Sequence, residues 1–412
     1  MFFARGIKSG HDKYDSCFQS MILIDRPGIC ELLRRLVQAP SYHGLPRQEE
    51  KVVAGLADFV STQGIEFTQT EVRSGRPNLL AKISASAPGK HLVLCGHTDT
   101  VPPNKMATRD LFSAEIVDGC MFGRGTVDMK GALAAMAGAL IAVKKNGLIR
   151  QGSLSLAAVI DEEMESLGAE ELILSGFKAD GAIVGEPTQN QIAIGHKGLE
   201  WIEVEFIGKA THGGTADKGV NAISAAAKFI RIVEEKLLQK LRQRHHPIIG
   251  SPTLNFGTIQ GGDQPSTVAA HCKIQLDRRW IPAEDGELVF SEIEECLVQV
   301  KLQMPGLKTV LRRVPGGMAT MIHGPLEISE THPLVIAAQK ARKEICGNAE
   351  ALTAFPAWTD GALLSREANI PTIILGPGDL ALAHSAEESI DLEEVYQAAE
   401  IYAMTAIHFL ES

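Results

Sequence analysis

Between Pro27 and Phe59 apolar residues recur at helical spacing in two stretches, GICELLRRLVQ and EEKVVAGLADFV, separated by the turn-rich APSYHGLPR. The pattern then shifts to short, nearly unbroken apolar runs: LLAKIS (79–84), HLVLCG (91–96), SLSLAAVI (153–160), GAIVGE (181–186) and, much later, PTIILG (371–376). Such runs suit strands covered on both faces. Helical segments over Lys130–Lys145 and Ala169–Leu174 lie between them, so the alternation predicts an α/β fold, an open sheet with helices on both faces.

From residue 201 the rhythm differs. WIEVEFIG (201–208) alternates, a long helical pattern runs near Asn221–Leu241, and LNFGTI (254–259) and CKIQLDRRW (272–280) follow as strands. A second helix near Glu287–Leu302 and the strand LKTVLRR (307–313) complete the order β-α-β-β-α-β, the ferredoxin-like arrangement. A complete unit of this kind between the fourth and last strands of the α/β sheet predicts an inserted domain. The expected divisions are 21–196 and 318–412 for the catalytic domain and 197–317 for the insertion.

A chain of 412 residues is long enough for two cores. Net charge is −10 with Lys and Arg dispersed, which argues against nucleic acid and anionic membranes as partners and leaves small molecules. The longest apolar stretch, Gly131–Val143, is too short to span a bilayer and reads as a core helix. The seven cysteines form no CxxC pair; the expectation is a reducing, cytoplasmic compartment without a disulfide framework. The first twenty residues make a poor secretory signal, and Met21 competes with Met1 as the natural start.

The chemistry lies just beyond the strands. HLVLCG leads into His97-Thr98-Asp99, SLSLAAVI into Asp161-Glu162-Glu163, GAIVG into Glu186, and PTIILG into a loop reaching His384; Asp128 precedes the helix that begins near Lys130. In open α/β sheets sites form at the carboxyl ends of strands, so these groups can converge across hundreds of residues. His97, Asp128, Glu163, Glu186 and His384 form a mixed nitrogen and oxygen set that suits two borderline divalent ions, Zn²⁺ first, with Co²⁺ or Mn²⁺ as alternatives. A shared carboxylate, most simply Asp128, would bridge ions about 3.5 to 4 Å apart. Asp99 is placed to accept the second ring N–H of His97. Of the adjacent Glu162 and Glu163, one can bind metal while its neighbour moves protons. The remaining histidines, His11 among them, lack comparable partners in sequence, and His196 at the expected domain junction reads as structural.

The segments GHTDTVP (96–102), GRGTVDMKG (123–131), DEE (161–163), GEPT (185–188), GPG (376–378) and AHSAEE (383–388) together closely resemble the metallopeptidase family containing acetylornithine deacetylase, succinyl-diaminopimelate desuccinylase, aminoacylase and glutamate carboxypeptidase. The resemblance spans nearly the whole chain after residue 25. It implies a zinc-peptidase-like sheet carrying an inserted dimerisation (lid) domain, and hence a homodimer. It also implies that His97 and Glu186 bind one zinc, that Glu163 and His384 bind the other, and that Asp128 bridges both, with Glu162 as general base and Asp99 behind His97. His212, in KATHGGTADKGVNAI, matches a histidine that polarises the scissile carbonyl; the alternative is a loop histidine capping a helix. Arg279 matches an arginine that grips a substrate carboxylate; the alternative is an ion pair on a strand surface. Gly376 belongs to a loop that lines the family's pocket. Ser266 and Ala269 depart from the family's Asn and Pro, where substrate is gripped. The implied reaction is attack of a metal-bridging hydroxide on an N-acyl amino acid, with a dipeptidase or carboxypeptidase as the alternative enzyme and a catalytically dead metal-binding scaffold as the alternative outside enzymes.

Overall fold

The computed structural model describes residues 22–315, 321–348 and 350–412; His11, Cys17 and the alternative start at Met21 lie outside the described residues. Asp25 opens the first helix by accepting the Gly28 amide, with Pro27 in the first turn. The chain then forms α1 (Arg26–Val37), α2 (Glu50–Ser61), β1 (Glu66–Arg73), β2 (Arg76–Ser84), β3 (Ala87–His97), β4 (Glu115–Val117), β5 (Cys120–Phe122), α3 (Gly131–Lys145), β6 (Gln151–Val159), α4 (Leu167–Leu174), β7 (Gly181–Val184) and β8 (Ala193–His196). Next come β9 (Gly198–Ile207), α5 (Ala222–Ile232), α6 (Leu238–Arg242), β10 (Thr253–Gly261), β11 (His271–Trp280), α7 (Gly286–Gln303), β12 (Lys308–Arg313) and β13 (Leu326–Glu327). The chain ends with α8 (Pro333–Cys346), β14 (Thr353–Phe355), α9 (Gly361–Arg366), β15 (Thr372–Ile374), β16 (Ser389–Asp391) and α10 (Leu392–Leu410).

These elements form two compact units. The first comprises the described residues up to Ile194 with Ile328–Leu352 and Ala368–Ser412. Its sheet runs β1-β2-β6-β3-β7-β15-β8. Four central strands, β6, β3, β7 and β15, are mutually parallel, while β1 and β2 extend the sheet antiparallel at one edge. Consecutive residues Leu92–His97 are all buried, so both faces of β3 are covered, as the unbroken apolar run predicts. Helix α3 is apolar on every side and buried from Gly131 to Val143. Thr126–Lys145 is long and apolar enough to cross a membrane, yet residues 126–143 are all buried inside the unit, which makes it a core helix. It packs against α1 and α10; a Cβ at Gly138 would come within 2.4 Å of Ile29 Cδ1, so only glycine permits that approach of α1.

The second unit comprises Gly195–Glu327 and Thr353–Glu367. Its antiparallel sheet has the order β10-β11-β9-β12, the ferredoxin-like topology. One face carries Ile202, Val204, Phe206, Ile274 and Leu276, packed with Phe229 of α5 and Ile293 and Leu297 of α7. On the other face Glu203 pairs with Lys273 and Arg312.

The borders fall at 194/195 and 327/328 rather than at 196/197 and 317/318, and the second unit regains Thr353–Glu367, a stretch the sequence reading leaves with the catalytic domain. Trp358 accounts for the return: its ring packs edge-on against His323 and His196, its Nε1 donates to Gly324 O, and Arg366 lies over Trp280. The reading also missed β1, an edge strand exposed along nearly its whole length, and the small sheet β16-β5-β4. The six cysteines among the described residues are free.

Candidate metal centre

Parallel strands end on a common edge, and that edge collects the predicted ligands. His97 is the last residue of β3, Glu163 follows β6, Glu186 lies two residues beyond β7, and His384 sits in the loop after β15. Asp128 occupies a turn ahead of α3, with non-helical backbone angles (φ −126°, ψ 93°) between left-handed Gly125 and the helix. All five belong to the first unit.

Asp128 is the hub. Its Oδ1 lies 2.9 Å from His97 Nε2 and its Oδ2 3.0 Å from His384 Nε2. Glu186 Oε1 approaches His97 Nε2 at 3.9 Å, and Glu163 Oε1 approaches His384 Nε2 at 3.1 Å. The result is two clusters, each with one imidazole and one carboxylate, sharing a third carboxylate. Ligand atoms of His97, Asp128 and Glu163 lie within 4.8 Å of one another. This mixed donor set, mostly withdrawn from solvent, fits two divalent ions.

The charges agree. Burial works against a charged His97, but the Asp128 and Asp99 carboxylates outweigh it and raise its pKa well above the usual range. Hydrogen bonds to Asp128 and Glu163 lift His384 to about 10. Burial tends to raise Asp128, yet the two imidazoles hold it below the ordinary carboxylate range. Burial, then the charge of Asp128, raises Glu163. The carboxylates thus favour the protonated imidazoles, and the imidazoles the ionised Asp128, when no ion is bound.

Asp99 makes contacts beyond those the sequence predicts. His97 Nδ1 faces the Asp99 backbone oxygen at 3.0 Å, while the Asp99 carboxylate lies at 3.5 Å and accepts the amides of Glu162 and Glu163, each at 3.1 Å. Asp99 therefore joins the His97 strand end to the Asp-Glu-Glu turn. That turn is held from behind as well: Arg76 links buried Glu49 to Asp161.

Sequence reasoning gave no role to a buried ion pair beneath Asp128. Glu388 Oε2 pairs with Arg124 Nη1, and both residues are about 1% exposed. Glu388 Oε1 accepts the amides of Gly125 (3.0 Å), Val127 (3.0 Å) and Asp128 (3.3 Å). Both residues lie in segments that already carry the resemblance, GRGTVDMKG and AHSAEE, but nothing in sequence joins them.

Gly376 has its amide bonded to Thr188 Oγ1 and its carbonyl accepting from the Thr188 and Asn190 amides; a Cβ there would meet Gly185 O at 2.2 Å. In the second unit, His212 is exposed and its Nδ1 caps a short turn by accepting the Gly214 amide. Arg279 makes a two-pronged contact with Asp277 on the same strand. Both contacts are local to the second unit. Ser266 O accepts the Gly213 amide and Ala269 O the Ala222 amide. His196 is fully buried between Lys197 O and Thr359 Oγ1, and burial pushes it down to about 4, so it is a neutral structural residue.

Comparison with known proteins matches residues 93–408 to peptidase family M20/M25/M40. The chain is similar to an acetylornithine deacetylase from Proteus mirabilis (strain HI4320), 30% identical over 400 residues, covering 94% of this chain and 98% of the relative. Among solved structures it resembles aminopeptidase PepT from Bacillus cereus ATCC 10987, with a TM-score of 0.76 at 22% identity over 94% of this chain and 100% of that one. It also resembles a dinuclear metal binding peptidase from Bacillus subtilis, with a TM-score of 0.71 at 15% identity over 94% of this chain and 98% of that one. At those identities the structural likeness speaks for the fold.

Proposed function

The chain belongs to peptidase family M20/M25/M40, and on that premise we propose that it removes the acyl group from an N-acyl amino acid, in the manner of its acetylornithine deacetylase relatives. It is a metal-dependent hydrolase of amide bonds. We assign one ion to His97, Glu186 and Asp128 and the other to His384, Glu163 and Asp128, with Zn²⁺ as the ion that best suits the donor set. The observation that carries this assignment is the division of Asp128, one oxygen turned to each histidine at 2.9 and 3.0 Å.

When bound, the ions supply Lewis-acid polarisation of the scissile carbonyl and a water of lowered pKa. Glu162 takes a proton from the attacking water and delivers it to the departing amine nitrogen. The Asp99 carboxylate holds the backbone of that residue in place. His212 stabilises the developing oxyanion, Arg279 grips the substrate carboxylate, and Gly376 lines the pocket. The second unit serves as lid and dimerisation domain, a reading supported by the largely exposed edge strand β10 with Ile259 at its surface. Free cysteines support a reducing, cytoplasmic setting.

The test is turnover of N-acetylornithine, N-succinyl-diaminopimelate and a dipeptide panel by protein reconstituted with Zn²⁺, Co²⁺ or Mn²⁺. The expected result is a kcat/KM for an acyl amino acid at least about tenfold above any dipeptide, roughly the discrimination that 1.4 kcal/mol confers; the reverse order makes the protein a peptidase. Glu162→Ala should lower kcat by roughly 10²–10⁴ with both ions still bound, and near-normal turnover refutes its role.

A further inference from the structure

The ion pair beneath the metal centre has no place in the reaction outlined above. A buried pair is weak evidence for stability, since apolar side chains of similar volume often serve equally well. What apolar side chains cannot do is accept the three amides that converge on Glu388 Oε1. Those amides belong to the turn leading into α3, where donors have no partner within the helix and a carboxylate is favoured.

Arg124 extends the contact in two further directions, its Nη2 donating to Pro102 O at 3.4 Å and Ser385 O at 3.3 Å. The Glu388 carbonyl in turn accepts the Gly123 amide at 2.9 Å. One pair therefore ties together the loop after His97, the turn bearing Asp128 and the loop bearing His384.

We propose that Glu388 and Arg124 are positioning residues that fix the turn so that Asp128 presents one oxygen to each ion, and that they hold the His384 loop against it. The inference rests on the assignment of Asp128 as the shared ligand. Neither residue touches substrate; both act through the bridging carboxylate.

The experiment is a Co²⁺ titration of the metal-free full chain, followed by visible absorption and by calorimetry, on the unaltered protein, Glu388→Gln, Arg124→Lys and Asp128→Asn. Glu388→Gln has a single acceptor oxygen and an NH₂ group, so it cannot serve both the three amides and the Arg124 guanidinium, and one set of contacts is lost. The affinity for one of the two ions should fall roughly 10–100-fold, the range typical of residues behind metal ligands, and the spectrum of the second equivalent should change. Arg124→Lys keeps the charge but not the fork and should weaken the same ion; it decides the matter if Glu388→Gln fails to fold. Two ions bound within about threefold of normal affinity and with unchanged spectra in a folded variant overturn the proposal. If Asp128→Asn also binds two ions normally, the assignment of the bridging ligand fails; if Asp128→Asn alone loses an ion, only the positioning role fails.

Discussion

Loading the metal-free protein with two divalent ions at pH 7 should expel about two protons. His384 Nε2 lies 3.0 Å from Asp128 and 3.1 Å from Glu163, which lifts its pKa to about 10. Asp128 and Asp99 keep His97 well above its usual range against the opposing effect of burial. Both rings are therefore biased toward imidazolium in the metal-free protein, and a ring nitrogen must lose its proton to bind metal. His384 is about half exposed, so water screens its ion pairs and the shift has to be discounted. Even if half the shift were lost, the ring would remain more than roughly nine-tenths protonated at pH 7. Glu163, raised by burial and by the charge of Asp128, can only add to the count. The assay is calorimetric titration with Mn²⁺ or Co²⁺ in buffers of different ionisation enthalpy; the slope of observed heat against buffer ionisation enthalpy gives the protons released. It should be about two near pH 7 and shrink as the pH approaches that of His384. Within that window apparent affinity should rise up to about tenfold per pH unit for each proton. A slope below about 0.5 at pH 7 would show the rings already neutral and refute the charge arrangement described here.

The same pairs set the acid–base stability of the metal-free protein. Because both histidines have folded pKa values above 6.5, their contribution is complete below 6.5 and is lost as pH rises through the folded values, about 10 for His384; Tm measured by calorimetry should fall over that interval, and a rise would contradict it. Arg76→Met leaves the buried Glu49 and Asp161 carboxylates without their guanidinium and should cost about 3–5 kcal/mol in urea denaturation; a loss under about 1 kcal/mol would mean the pair is dispensable. Gly376→Ala places a Cβ 2.2 Å from Gly185 O and 2.6 Å from Glu186 O, so it should destabilise by about 1–3 kcal/mol and weaken the ion on the Glu186 side; unchanged Tm and metal affinity would show that the backbone gives way freely.

The strands that carry the ligands were legible because a strand buried on both faces has little choice but an unbroken apolar run, as in HLVLCG and GAIVG. The candidate ligands stood out as a group because they follow those runs directly. Strand β1 was not, since an edge exposed along its length leaves EFTQTEVR polar and without alternation. Nor was the return of Thr353–Glu367 to the second unit, which depends on Trp358 finding His323 and Gly324 more than thirty residues earlier. The second set of Asp99 contacts was not legible, because nothing local says that a carboxylate two residues past His97 also accepts the amides of Glu162 and Glu163. The Arg124–Glu388 pair was invisible for the same reason at a larger scale: its members are 264 positions apart.

The order of strands in the sheet also has a bearing on how the chain comes to be finished. β15 lies parallel beside β7, Ile373 opposite Ile183, so this neighbour arrives roughly 190 residues later, a separation that makes such pairings slow to form. Until β15 is made, β7 would have an open edge, and only four of the five proposed ligands would be present. β15 covers that edge, and the loop that follows it carries His384. A chain lacking β15 would leave that edge open to other strands and would also lack His384, one of the five proposed ligands.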